Sequence, residues 1–174
     1  GIYSMELFDG YDVDTIIRVG SAGSMDNEDA DETAKSVNVG DIIIARDAIT
    51  DSNYANANGW DYEPTASEQT LEIALRLSSS MDNVKVGTIY SSDSFYMSDE
   101  DLKARARTNT LGVEMETFGL YMNAKHTGKN ALGIFTCSDK PLKGEGMSSQ
   151  ERETGLNQMI KLALDIAVEI EKER

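Results

Sequence analysis

Four short clusters of residues carry side chains suited to chemistry, and each lies where an apolar run gives way to polar residues. The clusters are residues 18–23, 94–96, 113–116 and 138–139. Open α/β sheets place their ligand sites beyond the carboxyl ends of strands. The sequence therefore predicts that these clusters contribute to one site.

The first cluster, RVGSAG, has two glycines flanking a serine after an apolar run. Glycines let the backbone approach a ligand closely. Arg18 offers a planar guanidinium that suits phosphate, and Ser21 offers a hydroxyl donor. The alternative is a tight turn with a surface arginine, and the motif alone does not decide between the two.

Two carboxylates flank a methionine where Glu114, Met115 and Glu116 follow Val113. A carboxylate can accept hydrogen bonds from two vicinal sugar hydroxyls. The alternative is structural, because acidic residues also favour the beginning of a helix. The spacing supports both interpretations equally.

Asp139 follows Ser138 directly after the apolar run ALGIFTC. A carboxyl group at the end of a buried strand is well placed for proton transfer, since burial favours its protonated form. Arg152, in the first turns of a later helix, could return to Asp139 and affect its protonation. The alternative is an aspartate that merely begins a loop.

The remaining aromatic and nucleophilic residues give weaker signals. Phe95 could stack on a planar heterocycle, although aromatic side chains are more often part of the core. Cys137 is expected to pack as a small hydrophobe. His126, in a polar turn with no nucleophile in view, does not assemble a Ser–His or Cys–His hydrolase. One histidine and one cysteine do not make a usual zinc site.

Alternating strands and helices must position these clusters. Apolar runs predict strands at residues 15–19, 41–45, 84–90, 111–115 and 131–137. Helices are predicted at residues 67–77, 98–107 and 116–124, with Ser98 as an N-cap. This order predicts an α/β fold with a mixed, parallel-rich central sheet flanked by helices in three layers. We expect a single domain over residues 1–174.

The last helix has the clearest signature. Ser148 and Glu151 have the spacing of a capping box at its beginning. One apolar stripe then follows, formed by Leu156, Met159, Ala163, Ala167 and Ile170.

Composition excludes several classes of protein. The net charge of −15 repels phosphate backbones, so nucleic acid is not an expected partner. No stretch approaches the ~20 apolar residues that span a membrane, and no signal peptide opens the chain. The single cysteine rules out an internal disulfide. We therefore expect a cytoplasmic protein with no membrane partner, and we expect the acidic stretch at residues 26–32 to be a solvated loop.

Five segments together resemble the bacterial hexameric type of purine nucleoside phosphorylase, within the nucleoside phosphorylase and nucleosidase family. Their order is that of the family, and they extend from about residue 2 to about residue 169. They are TIIRVGSAGSM, VGDIIIARDAITDSNYA, SSDSFYMSDEDL, LGVEMETFGLYMNA and TCSDKPLKGEGMSSQERETGLNQMIKLALDIA.

The resemblance implies a role for each matching residue. Arg18 and Ser21 would bind phosphate, and Asp139 would be the general acid that protonates the purine at N7, assisted by Arg152. The ribose would contact Glu114, Met115 and Glu116, with Glu116 holding the sugar hydroxyls. The wall of the base pocket would comprise Ala22, Gly23, Phe95, Val113 and Ser138.

The activity that the resemblance implies is phosphorolysis of purine (deoxy)ribonucleosides to the free base and (deoxy)ribose 1-phosphate. Inorganic phosphate would be the co-substrate, with no metal or other cofactor, and the protein would be a homo-oligomer of dimers assembled into a hexamer. Methylthioadenosine/adenosylhomocysteine nucleosidases share the VEME and SD elements but lack an arginine at the position of Arg18. Uridine phosphorylases are not expected to have an aspartate at the position of Asp139.

The chain also departs from the family. Family members are longer, and their front carries a glycine-rich phosphate loop and side chains that reach the neighbouring subunit's site. We therefore expect this chain to be incomplete at its N-terminus and to show little phosphorolysis alone. The alternative is a catalytically impaired member that binds nucleoside or acts as a scaffold subunit. Residues 26–36 are longer and more acidic than expected, and Lys140 and Pro141 also differ.

Overall fold

The computed structural model describes residues 1–28, 30–105 and 109–173, and its main feature is a six-stranded sheet within these ranges. The strands are β1 (Thr15–Ser24), β2 (Ile42–Thr50), β3 (Val84–Ser91), β4 (Thr110–Glu114), β5 (Asn130–Lys140) and β6 (Glu145–Gly146). Their order is β1–β4–β3–β2–β5–β6, and β1 also pairs with β5. Five strands therefore form a closed ring.

The ring contains three parallel and two antiparallel strand pairs, and β6 adds a further antiparallel pair at its edge. The β1/β5, β2/β3 and β3/β4 pairs are parallel, whereas β1/β4, β2/β5 and β5/β6 are antiparallel. The predicted mixed sheet flanked by helices is confirmed, but the sheet closes where an open one was expected. Register shifts leave one extra residue in each of three strands, namely Arg46 in β2, Leu111 in β4 and Ser138 in β5. An extra residue of this kind bends its strand as a β-bulge does, and this curvature helps to close the ring.

The helices cover the outside of the ring. They are α1 (Ile2–Met5), α2 (Glu32–Lys35), α3 (Tyr54–Asn58), α4 (Glu68–Ser78), α5 (Asp99–Arg105), α6 (Thr117–Thr127), α7 (Ser149–Thr154) and α8 (Asn157–Lys172). A π-helical turn follows α1 at Glu6–Gly10, and a 3₁₀ turn lies at Pro141–Lys143. Among the described residues, no helix has the length and apolar character needed to cross a membrane.

Helix α6 is fixed to the ring by Tyr121, whose side chain is fully buried. The hydroxyl of Tyr121 donates to the backbone oxygen of Ala45 in β2 and accepts from the N–H of Gly133 in β5 at 2.9 Å. Burial raises the pKa of this hydroxyl, so it stays protonated and able to donate. Since Glu114 and Glu116 precede α6, this anchor also sets their position.

Strands β1 and β5 extend further than the sequence predicted. Their parallel ladder continues past the glycines of RVGSAG, with a register shift between Ala22 and Gly23, and pairs Gly23 with Asp139. Ser21 and Asp139 therefore lie within strands rather than beyond their ends, whereas Arg18 lies within β1 as predicted. The apolar runs predicted strand ends that are too early, because strand pairing in the closed ring continues through small and polar residues.

The predicted last helix is divided in two. The capping box of Ser148 and Glu151 is confirmed at the beginning of α7, but residues 155 and 156 separate α7 from α8. Met159, Ala163 and Ile170 are buried as predicted, whereas Leu156 is half-buried and Ala167 is exposed. The break turns the buried face of α8, and other positions of the helix pack into the core, namely Leu162 and Ile166.

Three smaller predictions have mixed outcomes. Ser98 caps α5 as predicted, because its Oγ accepts from the N–H of Asp101 at 3.1 Å, and residues 106 and 107 of the predicted helix lie outside the described residues. Cys137 is fully buried, as expected. His126 was placed in a polar turn but lies in the last turn of α6, stacked on Trp60 at 4.4 Å between ring centroids.

The acidic stretch at residues 26–32 is not the solvated loop that was predicted. Asp26 is only 2% exposed and forms ion pairs with Lys140 and Lys143. Asp31 caps α2 by accepting from the N–H of Ala34 at 2.8 Å. Glu28 and Glu32 are exposed, and residue 29 lies outside the described residues. The density of charge predicted a solvated loop. Asp26 is nevertheless buried, because it pairs with two lysines that are distant in the sequence.

Candidate active site

One cavity of about 460 Å³ lies where β1, β4 and β5 end and where the loop after β3 begins. It is lined by every residue that the sequence assigned to a site, so the four clusters do meet as predicted. These residues are Arg18, Ser21, Ala22, Gly23, Phe95, Val113, Glu114, Met115, Glu116, Ser138, Asp139 and Arg152. A second cavity, of about 490 Å³ between the chain before β1 and helix α8, contains none of them.

Arg18 is held between two carboxylates. Its Nε donates to Oε2 of Glu114 at 3.0 Å, and its Nη2 donates to Oε2 of Glu116. The guanidinium also lies 5.3 Å from the centroid of the Phe135 ring, a favourable cation–π distance. An anion that binds Arg18 must therefore compete with Glu116 for the terminal nitrogens.

Glu114 is saturated by donors from the protein. Its side chain is 1% exposed, and it accepts from Arg18, from Oγ of Ser91 and from the N–H groups of Glu116 and Thr117 at 3.1 and 3.0 Å. The last two contacts satisfy N–H groups at the beginning of α6 that have no partner within the helix. For Glu114 the contacts support the structural interpretation of the motif, because this carboxylate orients Arg18 and the beginning of α6.

Glu116 and Met115 remain accessible from the cavity. The side chain of Glu116 is 54% exposed, and among the described residues its donors are Arg18 and the N–H of Met115, at 3.3 Å from the latter. Met115 is 41% exposed. Glu116 therefore keeps capacity to accept hydrogen bonds from a ligand, whereas Glu114 does not.

Asp139 lines the same cavity and is half-buried, with Ser138 Oγ donating to its Oδ1. Gly23 is its partner in β1, and a Cβ there would lie 3.3 Å from Asp139 Oδ2 and 2.9 Å from Cγ of Pro141. A larger residue would displace this wall. Arg152 lines the same cavity, but among the described residues no hydrogen bond or ion pair joins it to Asp139, so the expected return of Arg152 is not a direct contact.

The third wall is aromatic and apolar. Phe95 is 77% exposed and packs edge-to-face on Tyr96 at 5.2 Å. Several further residues share the lining, and sequence reasoning assigned none of them a role. Three are apolar and carry no chemical signal, namely Met97, Leu102 and Pro141, and three are polar, namely Ser92, Ser94 and Asp99. Ser91, which orients Glu114, was also missed, although its SSDSF segment had been noted.

Charge limits what this cavity can bind unaided. Its lining contains two cations, Arg18 and Arg152, whereas its carboxylates are Asp99, Glu114, Glu116 and Asp139. Within the described part of the chain, no group of three or more His, Cys, Asp or Glu side chains is arranged to hold a metal ion. The cavity suits an uncharged ligand with a planar apolar part and several hydroxyl groups.

Comparison with known proteins adds the decisive observation, since the sequence profile of the phosphorylase superfamily matches residues 2–170. The chain belongs to the phosphorylase superfamily. Among relatives in this superfamily, the DeoD-type purine nucleoside phosphorylase of Geobacillus sp. strain WCH70 is 40% identical over 172 residues. The alignment covers 97% of this chain and 70% of that protein.

One further relative and one solved structure are also similar to this chain. The DeoD-type purine nucleoside phosphorylase of Caldanaerobacter subterraneus subsp. tengcongensis is 41% identical over 170 residues, covering 95% of this chain and 70% of that protein. The P. knowlesi homologue of P. falciparum PNP has the same fold, with a TM-score of 0.81 at 24% identity. That alignment covers 99% of this chain and 68% of the solved chain.

Proposed function

We propose that this chain catalyses phosphorolysis of purine (deoxy)ribonucleosides to free base and (deoxy)ribose 1-phosphate. The observation that carries the proposal is that Arg18, Glu116 and Asp139 line one cavity in a chain about 40% identical to proteins named as purine nucleoside phosphorylases. We further propose a single-domain, cytoplasmic protein that forms homo-oligomers.

The proposed reaction exchanges one bond at C1′ of the sugar for another. A phosphate oxygen forms a bond to C1′ as the bond from C1′ to N9 of the purine breaks, and the electron pair of that bond moves into the base. Asp139 donates a proton to N7, which neutralises the departing base. Asp139 lines the same cavity as Arg18 and Glu116, which supports this role, because acid and phosphate must both reach the bond that breaks.

Glu116 is proposed to accept hydrogen bonds from the ribose hydroxyls. Its partly exposed carboxylate supports this role, since binding to the sugar would also withdraw it from Arg18 and leave the guanidinium for phosphate. Phosphate and Glu116 together would then stabilise the positive charge that develops on the sugar. Ser21, exposed beside Arg18 in β1, is proposed as a second phosphate ligand.

The phosphate site formed by Arg18 and Ser21 is sparse. A phosphate dianion near Glu114 and Glu116 is incompletely neutralised by one guanidinium. We therefore propose weak phosphate binding and slow turnover by this chain. The alternative of an impaired scaffold subunit is not favoured by the comparisons, because relatives that match almost the whole chain are named as enzymes.

An assay of base release tests the proposal. Inosine, guanosine and adenosine are each incubated with the chain, with and without inorganic phosphate, and uridine serves as the control nucleoside. We expect release of purine base and formation of ribose 1-phosphate only when phosphate is present. Base release without phosphate would indicate hydrolysis, and preference for uridine would remove the purine assignment.

A further inference from the structure

Asp26 is a buried carboxylate just beyond β1 that the proposed chemistry does not use. Its Oδ2 accepts hydrogen bonds from Nζ of Lys140 at 3.0 Å and from Nζ of Lys143 at 2.7 Å. Its backbone N–H donates to Oγ of Ser24 at 3.1 Å, which ties Asp26 to the end of β1. One carboxylate oxygen therefore joins the end of β1 to the segment that follows Asp139.

Lys140 is turned away from the cavity that its neighbours line. Successive side chains in a strand point to opposite faces, and Asp139 and Pro141 line the cavity whereas Lys140 does not. The side chain of Lys140 is 8% exposed, and its Nζ also lies 3.5 Å from Oδ1 of Asn38. The ion pair of Lys140 therefore fixes the orientation of the backbone at this point, and with it the directions in which Asp139 and Pro141 face.

Stability alone does not explain this arrangement. Well-packed apolar side chains of similar volume often stabilise a fold as well as a buried ion pair does. Burial raises the pKa of Asp26, but hydrogen bonds from Lys143 and Lys140 outweigh this effect and hold the pKa below its usual range. The carboxylate of Asp26 therefore stays charged. The buried pair of Asp26 and Lys140 could separate only if water solvated both charges, so the pair strongly constrains the positions of both residues.

The ion pair is next in the chain to a contact on the cavity wall. Asp26 pairs with Lys140 directly, and the ring of the following residue, Pro141, lies against Gly23. The position of Lys140 therefore affects the position of Pro141 at the wall.

We propose that Asp26 is a positioning residue that acts through Lys140 and Lys143 to hold Asp139 and Pro141 at the wall of the cavity. The chemical part of this inference rests on the proposed function, in which Asp139 protonates the purine. Asp26 itself does not line the cavity, so it contacts no substrate.

A comparison of two substrates tests this role. Inosine needs a proton on its leaving base, whereas N7-methylguanosine already carries a positive charge on the base and does not. In Asp26→Asn we expect kcat for inosine to fall about 10- to 100-fold, the scale of a small misplacement of a reacting group, with a much smaller change for N7-methylguanosine. Asp26→Glu, which keeps the charge, should recover part of the loss.

A matched control is available on α8. Asp165 also pairs with a lysine, since Nζ of Lys161 lies 2.6 Å from its Oδ2, but this pair is on the surface far from the cavity. Asp165→Asn should leave both substrates unaffected. Lys143→Ala, which removes the more exposed partner and keeps the buried pair, should show the Asp26→Asn pattern at smaller amplitude.

Hydrogen exchange gives a measurement that does not depend on turnover. In Asp26→Asn and Lys143→Ala we expect peptides over residues 138–146 to exchange about tenfold faster, as for a locally loosened segment, while peptides of α8 stay unchanged. Unchanged exchange at 138–146 in both variants would overturn the proposal, as would equal kinetic losses on the two substrates. If the wild-type chain turns over no nucleoside, the proposed function fails, and exchange alone decides whether Asp26 holds Asp139.

Discussion

Gly23 and Asp139 are partners in the parallel ladder of β1 and β5, and the space between them leaves no room for a side chain at residue 23. A Cβ there would meet the Pro141 ring at 2.9 Å as well as the Asp139 carboxylate. The acid proposed to protonate the base is thus positioned partly by the absence of a side chain opposite it.

Gly23→Ala should therefore reduce both stability and turnover. Overpacking of this kind typically destabilises a fold by about 1–3 kcal/mol, measurable as a lower midpoint of thermal unfolding. Gly10→Ala is a suitable control, because a Cβ there would meet only the end of the Glu6 side chain, at 3.5 Å. Equal stability and kinetics for Gly23→Ala and wild type would show that the wall yields to the extra methyl group.

Asp139→Asn should lower kcat on purine nucleosides by about 10²-fold or more, the usual scale for loss of a general acid. Steady-state rates with inosine and with N7-methylguanosine measure this effect. The methylated substrate should suffer much less, because its base leaves without protonation. Equal losses on both would remove Asp139 from the proton-transfer role.

The two glutamates of the VEME motif should respond differently to loss of charge. Glu116→Gln removes a charged acceptor from the proposed sugar site, and a hydrogen bond to a charged group is worth about 1.5–3 kcal/mol. We therefore expect roughly 10- to 150-fold weaker nucleoside binding, with little change in stability. Calorimetric titration with nucleoside measures it. An unchanged affinity would leave Glu116 only its contact with Arg18.

Glu114→Gln should instead act on the fold. The glutamine keeps the shape but loses the charge that Arg18 and three other donors share. We expect a lower thermal midpoint than in Glu116→Gln, because the buried side of the Arg18 contact, Glu114, loses its charge while the partly buried guanidinium keeps its own. The reverse order of the two midpoints would contradict this assignment.

Cys137 should resist alkylation in the native protein. Burial raises the pKa of its thiol to about 11 from 9.0, and the thiolate is the reactive form. A folded-state pKa above the unfolded value favours the protonated thiol, so this contribution to stability is complete below pH 9 and is lost as the pH rises through about 11. Iodoacetamide labelling at pH 8 should be fast in denaturant and slow without it, and equal rates would contradict burial.

Much of this architecture could be predicted from local sequence. The capping box of Ser148 and Glu151, the N-cap at Ser98 and the apolar strands are signals that depend on neighbouring residues, and each is present in the structure. All candidate site residues line one cavity. The parallel pairing of β1 and β5 brings Gly23 beside Asp139, and the antiparallel pairing of β1 and β4 brings Gly23 beside Val113.

The errors arose where distant residues decide the outcome. Asp26 is buried by lysines that lie more than a hundred residues later, so its local acidic context indicated the wrong environment. The extension of β1 past Gly20 depends on pairing with β5. Position in the sequence could place Glu114 and Glu116 at the beginning of a helix, but only the three-dimensional contacts separate the buried glutamate from the accessible one.

The closure of the ring has a consequence for how this protein is made. β1 near the start of the chain forms its long ladder with β5, which is translated more than a hundred residues later. Contacts of such large sequence separation form slowly and late. Until β5 has been synthesised, β1 has no β5 to join, and the part of the cavity that contains Asp139 does not exist. Ligand binding therefore depends on a late pairing, and during synthesis the exposed edge of β1 needs protection from neighbouring nascent chains.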